Sequence, residues 1–112
     1  MDELVKRLAT GEHPIELVLR PKGTREELKD CIERGYVHVK FTNTRGGTEL
    51  TVRLDKDMSD VSNVSRDAET GALRLVGDLT LNDVKVRCIA DADLGTFRGT
   101  GYLVPATIAP AD

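Results

Sequence analysis

Two long stretches of the chain, residues 36–55 and 72–104, alternate apolar and polar residues with a period of two. Successive side chains of a β-strand point to opposite faces of a sheet, so this alternation predicts strands with one buried face. In the first stretch the apolar positions fall into two sets, Val37, Val39 and Phe41, then Leu50, Val52 and Leu54. The pattern favours a mainly antiparallel sheet over any all-helical fold.

The first stretch is interrupted by Gly46-Gly47, which predicts a hairpin with these two glycines as its turn. Glycine supplies the positive φ that such two-residue turns need. With this turn, Phe41 lies opposite Val52 and His38 lies opposite Asp55. The pairing keeps the apolar side chains of both strands on one face, as a single buried face demands.

The second stretch predicts a three-stranded meander with turns at Asn82-Asp83 and Leu94-Gly95. The second turn places Arg87 opposite Tyr102. Cross-strand pairs of opposite charge each contribute roughly 0.2–1 kcal/mol to a sheet. The first turn brings two such pairs and one apolar pair into register, namely Arg74 with Asp91, Asp78 with Arg87, and Val76 with Ile89.

Helical signals are confined to the first third of the chain. Thr24 and Glu27 have the spacing of a capping box, in which each side chain accepts a backbone N–H of the first helical turn. An apolar stripe follows, and Gly35 suits the end of a helix. The sequence therefore predicts a helix over residues 24–34, a short helix near the N-terminus, and a strand around Ile15–Leu19.

Together these elements predict an α+β fold. Its expected form is a single, mainly antiparallel sheet of about six strands with helix 24–34 packed on one face. Residues 1–104 are expected to form one small domain, since 112 residues suit a single core. Residues 105–112 carry two prolines and are expected to form a flexible tail.

Composition argues against several classes of partner. Aromatic residues make up 4% of the chain and the net charge is −3, so no nucleic-acid partner is expected. No segment approaches the ~20 apolar residues that span a bilayer, so no membrane partner is expected either. Cys31 and Cys88 lie far apart without metal-ligand spacing. The sequence thus predicts a cytoplasmic protein with reduced thiols, and neither a cofactor nor a metal site.

Two candidate sites lie on the first hairpin. His38 opposite Asp55 could orient a general base. Lys40 and Arg53 on the same face could then hold an anionic substrate. The glycines of the turn could instead form a backbone nest for an anion, because Arg45 stands beside them. The residues of this second candidate are Lys40, Arg45, Gly46, Gly47 and Arg53.

Small residues cluster on the inner face of the predicted meander. Glycine in a strand often marks the close approach of another backbone or of a ligand. One interpretation is that helix 24–34 packs tightly there, and the other is a shallow pocket for an apolar ligand. The small residues are Gly77, Cys88, Ala90, Gly99 and Gly101, and Phe97 would lie on the rim of the pocket.

The leading functional hypothesis is a non-catalytic binding or accessory protein, since no catalytic or cofactor motif stands out. It would dock to a protein partner or to itself, as a homo-oligomer, through a sheet face. The expected interface residues are Val76, Ile89 and Tyr102, an apolar group among charge pairs. Two alternatives remain open. One is a carrier of a small apolar ligand held between helix and sheet, and the other is a small enzyme using His38 and Asp55.

Overall fold

A computed structural model of the protein describes residues 3–20, 22–65 and 70–105. Six strands form a closed antiparallel barrel in which each strand pairs with the next one along the chain. The helices are α1 (Glu3–Leu8), α2 (Arg25–Arg34) and α3 (Ser62–Ser65). The strands are β1 (His13–Val18), β2 (Tyr36–Phe41), β3 (Thr48–Leu54), β4 (Ala72–Leu81), β5 (Val84–Asp93) and β6 (Arg98–Pro105).

The barrel overturns the predicted α+β sheet with a helix across its face. Strand β6 pairs with β1, Ile15 lying opposite Gly99, and this pairing closes the sheet on itself. The apolar faces of all six strands then point inward and bury one another, so no helix is needed to cover them. Closure also gives both sheet edges a partner, which a single open sheet lacks.

The helices lie at the ends of the barrel. Helix α2 joins the end of β1 to the start of β2 and makes most of its contacts with β2 and α3. It contributes the fully buried Leu28 to the core, and α3 contributes Val64. At the opposite end, α1 contributes Val5 and Leu8, both fully buried. The predicted helix therefore exists, but it contacts one end of the core rather than a sheet face.

The termini of α2 confirm the local signals in the sequence. The Thr24 side chain accepts the N–H of Glu27, and the Glu27 carboxylate accepts the N–H of Thr24 at 2.8 Å. Gly35 ends the helix in the left-handed region, at φ 92°, and its N–H donates to carbonyls of the last turn. The carboxylate is further held by the N–H of Lys22.

The register of the β2–β3 hairpin differs from the prediction by four residues. The loop spans residues 42–47 rather than two glycines, so Val37 lies opposite Val52 and Lys40 opposite Glu49. The shift replaces a Lys40–Arg53 opposition by a pair of opposite charge. An even shift keeps the same side chains inside, so the period-two pattern fits both registers equally well.

Contacts within the loop and with α1 support the longer connection. The Thr44 and Thr48 hydroxyls are 2.7 Å apart. The guanidinium of Arg7 donates to the backbone carbonyl oxygen of Asn43 at 2.9 Å. The Asn43 side chain also donates to Nδ1 of His13, a residue that is 9% exposed. His13 in turn donates from Nε2 to the Thr10 carbonyl at 2.9 Å, which links α1 to the barrel.

The β4–β5 register is confirmed at every predicted pair, including Val76 with Ile89. Asn82 and Asp83 form its turn with φ of 50° and 67°, the conformation of a type I′ hairpin. The β5–β6 register is shifted by two residues, so Ile89 lies opposite Tyr102. Its loop holds residues 94–97 because Leu94, 1% exposed, turns inward and packs with the core.

Two further sequence expectations concern the C-terminal tail and membrane-spanning segments. Pro105 is the last residue of β6, and the rest of the predicted tail, 106–112, lies outside the described residues. Within the described segments, none of the helices has the length and apolar character needed to cross a membrane.

Candidate functional site

Strands β3 and β4 have the fewest paired residues of any neighbouring strands in the barrel, and the boundary between them is called the seam here. Pairing between these strands is limited to Arg53 with Asp78 and Leu54 with Gly77. The Asp55 N–H adds one bond to the Val76 carbonyl at 2.8 Å. Towards the β4–β5 turn the two strands diverge, so residues 48–52 of β3 and 79–81 of β4 have no partner across the seam.

The divergence opens a cleft of about 720 Å³ between β3 and the β4–β5 hairpin. This volume is typical of ligand-binding clefts. Val86, 1% exposed, and the half-buried Leu79 give it an apolar side. The lining residues are Tyr36, Thr51, Arg53, Asp78, Leu79, Thr80, Lys85 and Val86.

The rim of the cleft carries an excess of positive charge. Asp78 is held by Arg87, whose Nε lies 3.1 Å from its Oδ1, and Arg87 also reaches Asp55 at 3.3 Å. The hydrogen bond with Asp78 raises the pKa of Arg87 above its usual range. Within the described segments, Arg53 and Lys85 make no side-chain hydrogen bond or ion pair, so both cations are available to a ligand.

A second feature is an apolar row on the outer face of β4, β5 and β6. Val76, Ile89 and Tyr102 are consecutive cross-strand neighbours, and Val104, 42% exposed, follows Tyr102 on the same side of β6. Val76 is 4% exposed, whereas Ile89 and Tyr102 are half-buried. The predicted interface residues thus lie side by side.

Ion pairs border this row on both sides. Arg74 holds Asp91 through two bonds of 2.8 and 2.9 Å, and Arg87 holds Asp78 below the row. The hydrogen bond to Asp91 raises the pKa of Arg74. In the Arg74–Asp91 pair the arginine is on β4, and in the Arg87–Asp78 pair it is on β5. The four charges therefore alternate around the apolar centre.

The predicted glycine patch lies inside the barrel. A Cβ on Gly77 would overlap the Arg53 carbonyl oxygen, and one on Gly101 would lie 2.9 Å from the Ile89 carbonyl oxygen. Neighbouring strand backbones, rather than helix α2, occupy the space that side chains here would need. Burial raises the pKa of Cys88 to about 12. Gly99, Ala90 and Phe97 belong to the same region, and none of the patch lines the seam cleft.

His38 and Asp55, the predicted catalytic pair, are not brought together. In the observed register His38 lies opposite Thr51, and its Nδ1 is 3.0 Å from the threonine hydroxyl. Asp55 instead accepts the backbone N–H groups of Asp57 and Met58 and pairs with Arg87. The opposition of His38 and Asp55 was wrong because the hairpin loop is longer than two residues.

The proposed anion loop is divided by the same shift. Lys40 covers the turn, since its Cε would lie 2.5 Å from a Cβ on Gly47. The Gly47 N–H donates to the Thr44 carbonyl at 2.9 Å, so one nest donor is already used. Gly46 and Arg45 are exposed beside it. Arg53 is at the opposite end of β3, far along the strand from the loop.

The remaining features are the possible metal ligands, a second cleft and the two thiols. Among residues 3–20, 22–65 and 70–105, no three His, Cys, Asp or Glu side chains are grouped to hold a metal ion. A smaller cleft of about 300 Å³ lies between α2 and α3, lined by Lys29, Ile32, Glu33 and Val64. The thiols of Cys31 and Cys88 are both free.

Comparisons with known proteins add no relationship. No protein-family model matches the chain, and no curated protein matches its sequence.

The seam cleft was not predicted from the sequence. The alternation of β3 and of residues 78–81 of β4 continues along the cleft, and the pairing of the two strands depends on a long-range register. The difference in length between β4, with ten residues, and β3, with seven, would not have predicted the cleft, since it does not say which residues of β3 lose their partner.

Proposed function

We propose that this protein is a non-catalytic binding protein that docks to a second copy of itself through the outer face of β4–β6. The observation that carries the proposal is the apolar row on this face, bordered by ion pairs on both sides. Its accessible part is the half-buried Ile89 and Tyr102 with Val104, 42% exposed, since Val76 is already buried. An apolar centre within a polar rim is the usual anatomy of a protein interface.

The alternating charges favour a second copy over an unrelated partner. If the face is turned over onto itself about a two-fold axis lying in the sheet, each arginine comes over an aspartate. With the axis across the strands, along the apolar row, Arg74 meets the partner's Asp78 and Arg87 meets the partner's Asp91, while Tyr102 stays within the contact. A two-fold interface uses the same patch on both subunits, so this self-complementarity is the property it requires.

The test is sedimentation equilibrium of the wild type and of Tyr102→Lys. The wild type is expected to form a reversible dimer at micromolar concentration, and Tyr102→Lys is expected to be monomeric because a buried unpaired ammonium opposes the contact. The matched control is Tyr36→Lys, a tyrosine of 36% exposure on the outer face of β2. It should dimerise like the wild type.

Salt provides a second readout. Exposed charge pairs are screened at high ionic strength, so the dissociation constant of the dimer should rise as salt is added. A wild type that stays monomeric throughout the micromolar range would refute self-docking, as would a dimer that Tyr102→Lys leaves intact.

The cytoplasmic location expected from the sequence belongs to the same proposal. It is supported by the two unpaired thiols, of which Cys88 is buried and Cys31 half-buried. The contacts favour neither the carrier nor the enzyme hypothesis. The inner glycines have strand backbone against them, and His38 lies apart from Asp55.

A further inference from the structure

We infer that the seam cleft binds an extended peptide segment, which adds as a strand to the free edge of β3, and that the segment alternates acidic and apolar residues. The inference concerns a different surface from the one proposed for self-docking. It rests on the backbone groups that the divergence of β3 and β4 leaves unpaired and on the charges around them.

The hydrogen-bonding direction of β3 follows from its observed bonds. The Leu54 N–H donates to the Gly35 carbonyl on the β2 side at 2.8 Å, and the Asp55 N–H donates to Val76 on the β4 side. Backbone groups alternate between the two sides of an antiparallel strand. The backbone N–H and C=O groups of Thr51 and Glu49 therefore point into the cleft.

The opposite wall follows the same rule. Leu81 and Val84 close the two-residue β4–β5 turn, so the odd-numbered residues of this part of β4 bond to β5. The groups of Thr80 then point towards β3. No described residue of β4 pairs with Thr51, and none of β3 pairs with Thr80. Unpaired groups along strand edges are the docking feature used in strand addition.

Length and shape suit a short peptide. The free part of β3, Thr48–Val52, has five residues, and a strand beside it would extend about 17 Å at roughly 3.4 Å per residue. The cleft closes where β3 and β4 begin to pair as strands, at Arg53 opposite Asp78, and this limits how far the peptide enters. A compact ligand would leave the edge groups of Thr51 and Thr80 without partners.

The two faces of the added strand meet different chemistry. On the outer side the peptide lies beside Arg53 and Lys85, which have no ion-pair partner among the described residues. On the inner side the half-buried Leu79 provides the apolar contact, since Val86 is only 1% exposed. Because strand side chains alternate between faces, acidic residues outward and apolar residues inward satisfy both sets.

The probe is a fluorescently labelled hexapeptide of three Glu-Val repeats, acetylated and amidated, with binding followed by anisotropy. A Lys-Val peptide of equal length is expected to bind at least about tenfold more weakly, because it opposes the two cations. A Glu-Val peptide with N-methylated alternate amides should lose about tenfold or more, because it cannot donate to the edge.

The protein variants separate the cleft from the general surface. Lys85→Glu should weaken the Glu-Val peptide by about fivefold or more, since an exposed attraction becomes a repulsion. Lys56→Glu makes the same charge change at an exposed position outside the cleft and should change binding less than about twofold.

Equal affinity of the methylated and unmethylated peptides would overturn strand addition. Equal affinity of the Glu-Val and Lys-Val peptides, or an equal effect of Lys85→Glu and Lys56→Glu, would overturn the acidic preference. Absence of binding by all three peptides at millimolar concentration would overturn the inference as a whole.

Discussion

Single glycines determine how closely the barrel strands approach one another. Gly77 lies at the last paired step of the β3–β4 seam, opposite Leu54. A Cβ at this position would overlap the Arg53 carbonyl oxygen and lie 2.6 Å from Cγ1 of Val52. Backbone cannot move aside as a flexible side chain can. The residue is therefore required by close approach rather than by an unusual backbone conformation.

We expect Gly77→Ala to lower the free energy of unfolding by about 1–3 kcal/mol, the usual cost of overpacking a closed interior. The measurement is the urea midpoint at constant slope. The matched control is Gly95→Ala, where the added Cβ would meet only the Asp93 carboxylate, at 3.2 Å. That variant should lie within about 0.5 kcal/mol of the wild type. Equal midpoints for both variants would contradict the close approach at Gly77.

At the scale of elements, helix α2 is held by its capping box as well as by burial. Leu28 is its fully buried side chain, while Cys31 and Ile32 are only half-buried. The hydrogen bond from the Thr24 N–H holds the pKa of Glu27 below its ordinary value of 4.5. A carboxyl whose folded pKa is lowered stabilises the folded state above its unfolded pKa, and that contribution disappears as pH falls through the folded pKa.

The resulting prediction is a pH-dependent difference between the wild type and Glu27→Ala. The variant should be less stable near neutral pH, and the difference should narrow as pH falls below 4.5. Urea midpoints across this range provide the measurement. Glu26→Ala removes the neighbouring carboxylate of the same turn, which is not part of the capping box, and serves as the control. A difference independent of pH would show that the carboxylate bond does not stabilise the helix.

At the scale of the whole molecule, closure of the barrel determines which groups solvent can reach. Cys88 is 1% exposed on the inner face of β5, and burial raises its pKa to about 12. Only the thiolate reacts with thiol reagents. In a closed barrel, β5 is paired on both sides, so exposing Cys88 requires the strands to separate.

We therefore expect labelling of Cys88, measured in a Cys31→Ser background, to require global unfolding. The opening free energy from labelling should equal the unfolding free energy from urea within error. The reciprocal variant, Cys88→Ser, reports the half-buried Cys31 of α2, which should label faster. Labelling of Cys88 at a much lower opening free energy would indicate that the barrel opens locally.

Local patterns allowed much of the secondary structure to be predicted. The capping box of Thr24 and Glu27 and the turn at Asn82-Asp83 involve residues close together in sequence, and both are observed. The β4–β5 register followed because a two-residue turn leaves a single choice of pairing. The β2–β3 and β5–β6 registers were wrong by four and by two residues, since longer loops allow several pairings with the same buried face.

The sequence by itself determined that six amphipathic strands and a capped helix would form, because periodicity and capping are set by neighbouring residues. It did not determine what covers the apolar faces, since a helix or the sheet itself can do so. Only the tertiary structure decided closure through β1 and β6, and with it the ends where the helices lie. The seam cleft was decided at the same level, because two strands diverge where their long-range pairing stops.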